Sequence, residues 1–270
     1  MFLNMKSVSS QESYEPYSVQ VLKCGGEYGP AVSLAWNERL NEFAELYYYL
    51  VVIRNSQRVI VVNTGMPEDY SVFDNFVKSW HPSCRIFREP DELPRTALDR
   101  AGISPAEVST VVITPITIYT TGNLKLFPQA AFAFNRKGWT DFWAPAKHSP
   151  KLPPDIAMPR ESREYLAGEA FGRIQLLENE DEVCPGIRCF WTGGHHVSSM
   201  ALSVATAKGT VLTGDCFFTY DNLERNVPIG WAENLQEIYA AYDRIRKEAD
   251  IALPLYDPLV MERFPDGKIA

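Results

Sequence analysis

The chain has 270 residues, 46% of them hydrophobic and 22% charged, with a formal net charge of −8. That length and balance suit a globular protein with a sizeable core, expected as a single domain over residues 1–270. The negative charge and the lack of any Lys- or Arg-rich run argue against nucleic acid as a partner. No apolar stretch approaches the ~20 residues that a membrane span requires.

Residues 1–16 read as a tail. Met1-Phe2-Leu3-Asn4-Met5-Lys6 is too short and polar for a signal-peptide core, so a cytoplasmic location is expected. The five cysteines form no C-x2-C pair and read as reduced thiols, although Cys184 and Cys189 flank Pro185-Gly186 and could face each other across a turn. Alternation over 17–22 predicts a strand, ended by a turn at Cys24-Gly25-Gly26. Residues 27–46 carry Trp36 and Phe43 among polar neighbours, which suits a pocket lining as well as it suits plain packing. Runs at 46–53 and 59–62, joined by Asn55-Ser56-Gln57, predict a hairpin.

Tyr70, Phe73, Phe76, Val77 and Trp80 recur near helical spacing. A second helix is predicted over 94–101 with Gly102 as its stop, and Ser104-Pro105-Ala106-Glu107 carries a helix-start signal. Val111-Val112-Ile113 then reads as a buried strand, ended at Thr114-Pro115 because proline has no N–H for a ladder. Further strands are predicted at 129–135, 172–177, 186–191, 200–205, 210–213 and 251–255. Residues 139–168, with Trp139, Phe142, Trp143, His148 and several prolines, read as a lid or insertion, being too aromatic for a linker. The clearest helix covers 234–247. Leu235, Ile238, Tyr239, Tyr242 and Ile245 form its apolar face, and Asn234 with Glu237 makes a capping-box pair. Helices alternating with buried strands are α/β grammar.

Residues 114–124 read Thr-Pro-Ile-Thr-Ile-Tyr-Thr-Thr-Gly-Asn-Leu, 63–65 Asn-Thr-Gly, 192–199 Thr-Gly-Gly-His-His-Val-Ser-Ser, 214–215 Gly-Asp and 256–258 Tyr-Asp-Pro. In order and spacing these resemble the metallo-β-lactamase-fold superfamily, and within it the N-acyl homoserine lactonase-like branch. The resemblance implies a four-layer αββα sandwich with its site at one edge of two sheets. It also implies a loss. Where that family has Thr-His-x-His-x-Asp-His-x-Gly-Asn-Leu, this chain keeps Thr114, Gly122, Asn123 and Leu124 but puts Pro115, Thr117, Tyr119 and Thr120 at the metal-binding positions. Asn63 replaces an aspartate that orients the metal site, and Tyr256 replaces a histidine ligand, while His195 and Asp215 are kept. A degenerate metal site with no metal and no cofactor is therefore expected, since zinc normally takes three His, Cys or carboxylate ligands.

His195 beside Asp215 is a candidate base with its orienting carboxylate. Tyr119 and Tyr256 would donate hydrogen bonds to a carbonyl or oxyanion, or simply fill the space that metals leave. Thr117, Thr120, His196, Trp36 and Trp143 are candidate substrate-binding residues. Ser198 is a hydroxyl that a histidine could activate, and Cys216 a thiol expected to face the core. The expected function is metal-independent action on a small carbonyl compound, such as a lactone, ester or activated acyl group, with His195 as general acid/base. Two alternatives stay open: a non-catalytic pseudoenzyme that binds a small molecule, and a hydrolase with one metal in a rebuilt site drawing on His196, Cys216 or Asp257. A homodimer is also left open.

Overall fold

The computed structural model describes residues 14–145 and 152–270. Most of the expected tail at 1–16 lies outside the described residues, as do His148 and the rest of 146–151 within the expected lid.

The chain opens with strands β1 (Ser18–Pro30), β2 (Phe43–Arg54) and β3 (Val59–Val62), then helix α1 (Ser71–Lys78), β4 (Arg85–Phe87), α2 (Pro94–Arg100) and β5 (Val108–Val112). It continues through α3 (Ile118–Thr121), β6 (Ala131–Asn135), α4 (Arg136–Trp143), α5 (Pro154–Ala157), α6 (Arg160–Ala167) and β7 (Ile174–Leu177). The last third holds β8 (Glu180–Cys184), β9 (Ile187–Trp191), β10 (Met200–Thr206), β11 (Gly209–Gly214), α7 (Tyr220–Glu224), α8 (Leu235–Glu248), β12 (Ile251–Pro254) and α9 (Leu259–Arg263). One sheet runs β4-β1-β2-β3-β5-β6-β7 and the other β12-β11-β10-β9-β8.

Side-chain alternation along β2 explains how these sheets stack. Leu50 and Val52 point to one buried cluster, with Leu98 of α2, Phe132 of β6 and Leu166 of α6. Tyr49, Val51 and Ile53 point to the other, with Leu202, Val204 and Val211 of the second sheet and Ile238 and Tyr242 of α8. Helices α2 and α6 thus cover one face of the large sheet, the second sheet covers its other face, and α8 covers the outer side of the second sheet. The result is the α/β four-layer sandwich expected from the sequence. No helix among the described residues is long and apolar enough to cross a membrane.

Several local expectations need correction. The first strand does not end at Cys24-Gly25-Gly26. Its pairing with β2 shifts register between Lys23 and Gly26 and then resumes to Pro30. Gly25 takes φ +109, and a Cβ there would lie 2.0 Å from Met66 Cε and 2.7 Å from Phe87 O. Glycine here makes a bulge inside one long strand rather than a turn between two elements. Residues 104–107 give one turn of 3-10 helix instead of a full helix. The segment 139–168 is largely helical where it is described, as α4, α5 and α6. Strand β8 was not foreseen, being a polar edge strand with weak alternation. In the β8–β9 hairpin Cys184 sits opposite Ile187 and Cys189 opposite Asp181, so the two do not face each other.

Candidate active site

The site is built where strands of both sheets end side by side. Beyond β3, Asn63 takes φ 64. Its Nδ2 donates to Thr114 O at 2.9 Å, and its Oδ1 accepts from Thr114 N at 2.9 Å. An ionised aspartate could accept but not donate, so asparagine is the residue type that satisfies both groups. Thr114, fixed in this way, accepts from Met200 N at 2.8 Å and donates its hydroxyl to Asp215 Oδ1. The Ser199 hydroxyl donates to Asp215 Oδ2, and His195 Nδ1 lies 3.1 Å from the same oxygen. Asp215 is wholly buried. A carboxylate can only accept, which assigns the His195 proton to Nδ1 and leaves Nε2 as the open lone pair. Burial, and then the charge of neighbouring His196, lower the His195 pKa to about 4 against the opposing pull of Asp215. The ring is therefore a neutral imidazole near pH 7.

The loop that carries His195 is held by α8. Gly193 and Gly194 take φ +55 and +75, and a Cβ on Gly194 would lie 2.6 Å from Ile238 Cδ1. Gly194 N donates to Glu237 Oε2 at 2.8 Å. Glu237 is thus committed to the histidine loop instead of forming the expected capping box. The Asn234 side chain still caps α8 by accepting from Gln236 N and Glu237 N.

His195 forms part of the wall of a cavity of about 420 Å³. Most of the rest is aromatic. Tyr48 and Tyr119 stack at 4.5 Å with their planes 12° apart, and Phe73 lies 5.8 Å from Tyr119. Tyr256 stands edge-on to Tyr119 at 5.9 Å, and Phe218 bridges Tyr256 at 4.7 Å and His195 at 4.9 Å. Trp80 and Trp231, 5.0 Å apart, form the rim. Burial raises the pKa of both Tyr119 and Tyr256, so each keeps its phenolic proton. The buried Tyr256 hydroxyl lies close to Tyr119 but forms no hydrogen bond with a described residue. An orphaned donor of this kind is unusual in a folded protein.

Sequence reasoning missed Glu27. It lies on the part of β1 beyond the bulge, opposite Leu46, and only 4% of it is exposed. It lines the same cavity as His195 and accepts a hydrogen bond from Tyr48 Oη at 2.8 Å. Burial raises its pKa to about 7, with Tyr48 pulling the other way. The available signal was Gly25-Gly26 inside a strand-like stretch, which marks a bulge as readily as a turn.

Of the residues singled out from the sequence, Thr117, Tyr119, His195, His196 and Tyr256 line the cavity together. Asp215 lies behind His195, and His196 Nδ1 is 3.1 Å from Glu233 Oε1 at the rim. Others lie elsewhere. Thr120 is turned into the α3 cap, its hydroxyl donating to Pro115 O at 2.6 Å. Trp36 is 44% exposed, in the segment after β1 and outside the cavity wall. Trp143, 41% exposed, borders a neighbouring cavity with Ser198, whose Oγ accepts from Ile116 N at 2.9 Å. Cys216 is buried in the core, and the Asp257 carboxylate accepts from Tyr220 N and Leu259 N. Leu152 and Ile156, from the expected lid, do border the main cavity.

Among the described residues no three His, Cys, Asp or Glu side chains are grouped to hold a metal ion. Both Asp215 oxygens are already engaged by Thr114, Ser199 and His195. Zinc sites draw three or four ligands from those residue types, so this donor set does not fit one.

The fold is that of the metallo-β-lactamases. Within it, the chain superposes on an N-acyl homoserine lactone hydrolase with the product N-hexanoyl-L-homoserine bound at its catalytic metal center. The TM-score is 0.75 and the identity 17%, over 93% of this chain and 98% of that one. It also matches the hydrolase AbOPH of the beta lactamase superfamily, with TM-score 0.66 and 16% identity over 96% and 91% of the two chains. In sequence it is 24% identical over 183 residues to an N-acyl homoserine lactonase from Bacillus cereus. That match covers 66% of each chain, so it spans just under two thirds of the relative's length. No protein-family model matches.

Proposed function

We propose that this protein is a hydrolase of the metallo-β-lactamase fold that acts without a metal ion on a small carbonyl compound: a lactone, an ester or an activated acyl group. The observation that carries this reading is His195, its Nδ1 held 3.1 Å from Asp215 Oδ2 at the wall of an aromatic cavity. The lactone class is supported by the likeness to proteins named as lactonases.

In this reading His195 Nε2 takes a proton from water as the water oxygen attacks the carbonyl carbon. Asp215 stabilises the imidazolium that forms. The bond from that carbon to the leaving oxygen then breaks, and the proton passes from His195 to the departing oxygen. Tyr119 and Tyr256 keep their protons and serve as donors to the oxygen on which negative charge develops. Without a metal to make hydroxide, a positioned base supplies ~10²–10⁴ in rate, which suits reactive lactones and activated esters better than unactivated ones.

Turnover of a panel of lactones and activated esters in excess chelator tests this. Activity is expected to survive the chelator and to fall ~10²-fold or more in His195→Ala, with the circular dichroism spectrum unchanged. Activity that needs added metal, or that is equal in the variant, would count against the reading.

A pKa of about 4 makes His195 a weak base, and this favours a second reading, a cavity that binds without turning over. Saturable binding of panel compounds with no product formed would decide for it.

A further inference from the structure

The cavity has a second polar end that the reaction above does not use. Glu27 is buried there, with Oε2 accepting from the Tyr48 hydroxyl and Oε1 accepting no hydrogen bond from any described residue. No Lys or Arg of the described residues pairs with it. Gly29 leaves its space: a Cβ there would lie 2.6 Å from Glu27 Oε1. A buried carboxylate without a cation is destabilising, and among the described residues the Tyr48 hydroxyl alone offsets that cost with a side-chain hydrogen bond.

Aromatic rings surround it. Tyr48, Phe73 and Tyr119 cluster beside the carboxylate, and Trp80 and Trp231 close the approach. Among the described residues no Lys or Arg lies over any of these rings, whereas Lys23 sits 4.0 Å from the Tyr47 ring on the other side of β2. Tyr48 and Tyr119 cover one face of each other, so what they can offer a ligand is the remaining face and the edges. Aromatic rings beside a buried acid recognise ammonium groups, by ring quadrupole and by charge together.

We propose that Glu27, Tyr48, Phe73, Tyr119, Trp80 and Trp231 form a subsite for an alkylammonium group. The ligand of this cavity is then a carbonyl compound that also bears a cationic amine, its carbonyl toward His195 and its nitrogen toward Glu27. The carbonyl half of that statement rests on the functional reading above, while the ammonium half stands on Glu27 and the rings. The titratable groups that face Glu27 are Tyr48, Tyr119 and Cys84, with His195, His196, Glu233 and Tyr256 elsewhere on the wall.

Isothermal titration calorimetry of the full chain, above pH 7, tests the subsite with choline against its uncharged isostere, in which a tert-butyl group replaces trimethylammonium. A primary-amine pair, butylamine against butanol, runs beside it. In at least one pair the cation is expected to bind about tenfold tighter or more, and Glu27→Gln should erase that preference. Glu27→Gln keeps the shape, and an unchanged circular dichroism spectrum with an equal or higher Tm shows that its fold is intact. No cation preference in either pair, or a preference that persists in Glu27→Gln, would overturn the proposal. Chelator-resistant turnover of neutral esters through His195 would survive that result, so the two readings fail separately.

Discussion

Glu27 and His195 are displaced from their ordinary pKa values in opposite directions, and this gives stability a pH signature that a single variant can isolate. Glu27 rises from 4.5 to about 7 on folding, so its contribution is fully present below pH 4.5 and is lost as pH rises through about 7. His195 falls from 6.5 to about 4, so its contribution is present above 6.5 and is lost as pH falls toward about 4. Each gives a slope of up to about 1.4 kcal/mol per pH unit, and the two oppose each other in the shared window. Urea unfolding of Glu27→Gln beside wild type should show the variant gaining stability relative to wild type from pH 4.5 to about 7, and staying ahead above that. A difference between the two that is flat with pH would contradict the burial of an unpaired acid. His195 and Asp215 were legible in the sequence because flanking glycines frame them. Glu27 was not, because a Gly-Gly pair is silent about whether a strand turns or bulges. Thr120 was misplaced for a related reason: spacing does not say which side of a one-turn helix faces the cavity.

At the scale of elements, the bulge in β1 decides whether the cavity has its acidic end. The strand beyond it pairs Glu27 with Leu46 and Tyr28 with Glu45, and this register sends Glu27 inward. Gly25→Ala would force a side chain into φ +109, with its Cβ 2.7 Å from Phe87 O. A loss of about 2 kcal/mol or more is expected in urea unfolding, together with a weaker cation preference as Glu27 shifts. A variant as stable as wild type would show that the bulge is not under this constraint. Apolar strands such as β2, β3 and β10, and the capped helix α8, were readable from period and cap. The polar edge strand β8 was not, since it buries little and alternates weakly. The Glu237 contact to Gly194 was also hidden, because a capping box and a long-range hydrogen bond use the same residue types.

For the whole molecule, the question is what holds this backbone in place when the donor set among the described residues does not fit a zinc ion. The framing residues answer it, because they hold the backbone by themselves. Asn123 Nδ2 donates to Thr64 O and Met66 O at 2.9 Å each, and Thr64 Oγ1 donates to Thr120 O at 2.8 Å. A Cβ on Gly122 would lie 2.3 Å from Pro67 N, so the close approach of those two loops requires glycine there. Of the positions where the family it resembles binds metal, these contacts use Thr120 alone, and only through its backbone carbonyl. That is why the fold could be read from Thr114, Gly122, Asn123 and Gly214, while the cavity's new contents needed the packing of distant elements. In this fold a histidine and aromatic rings line the cavity, and the donor set beside them does not suit zinc. Elemental analysis of protein produced in zinc-supplemented medium and purified without chelator decides this, with Tm recorded before and after chelator is added. Metal far below one ion per chain and an unmoved Tm are expected; a stoichiometric complement of zinc whose removal lowers Tm would overturn the metal-free reading.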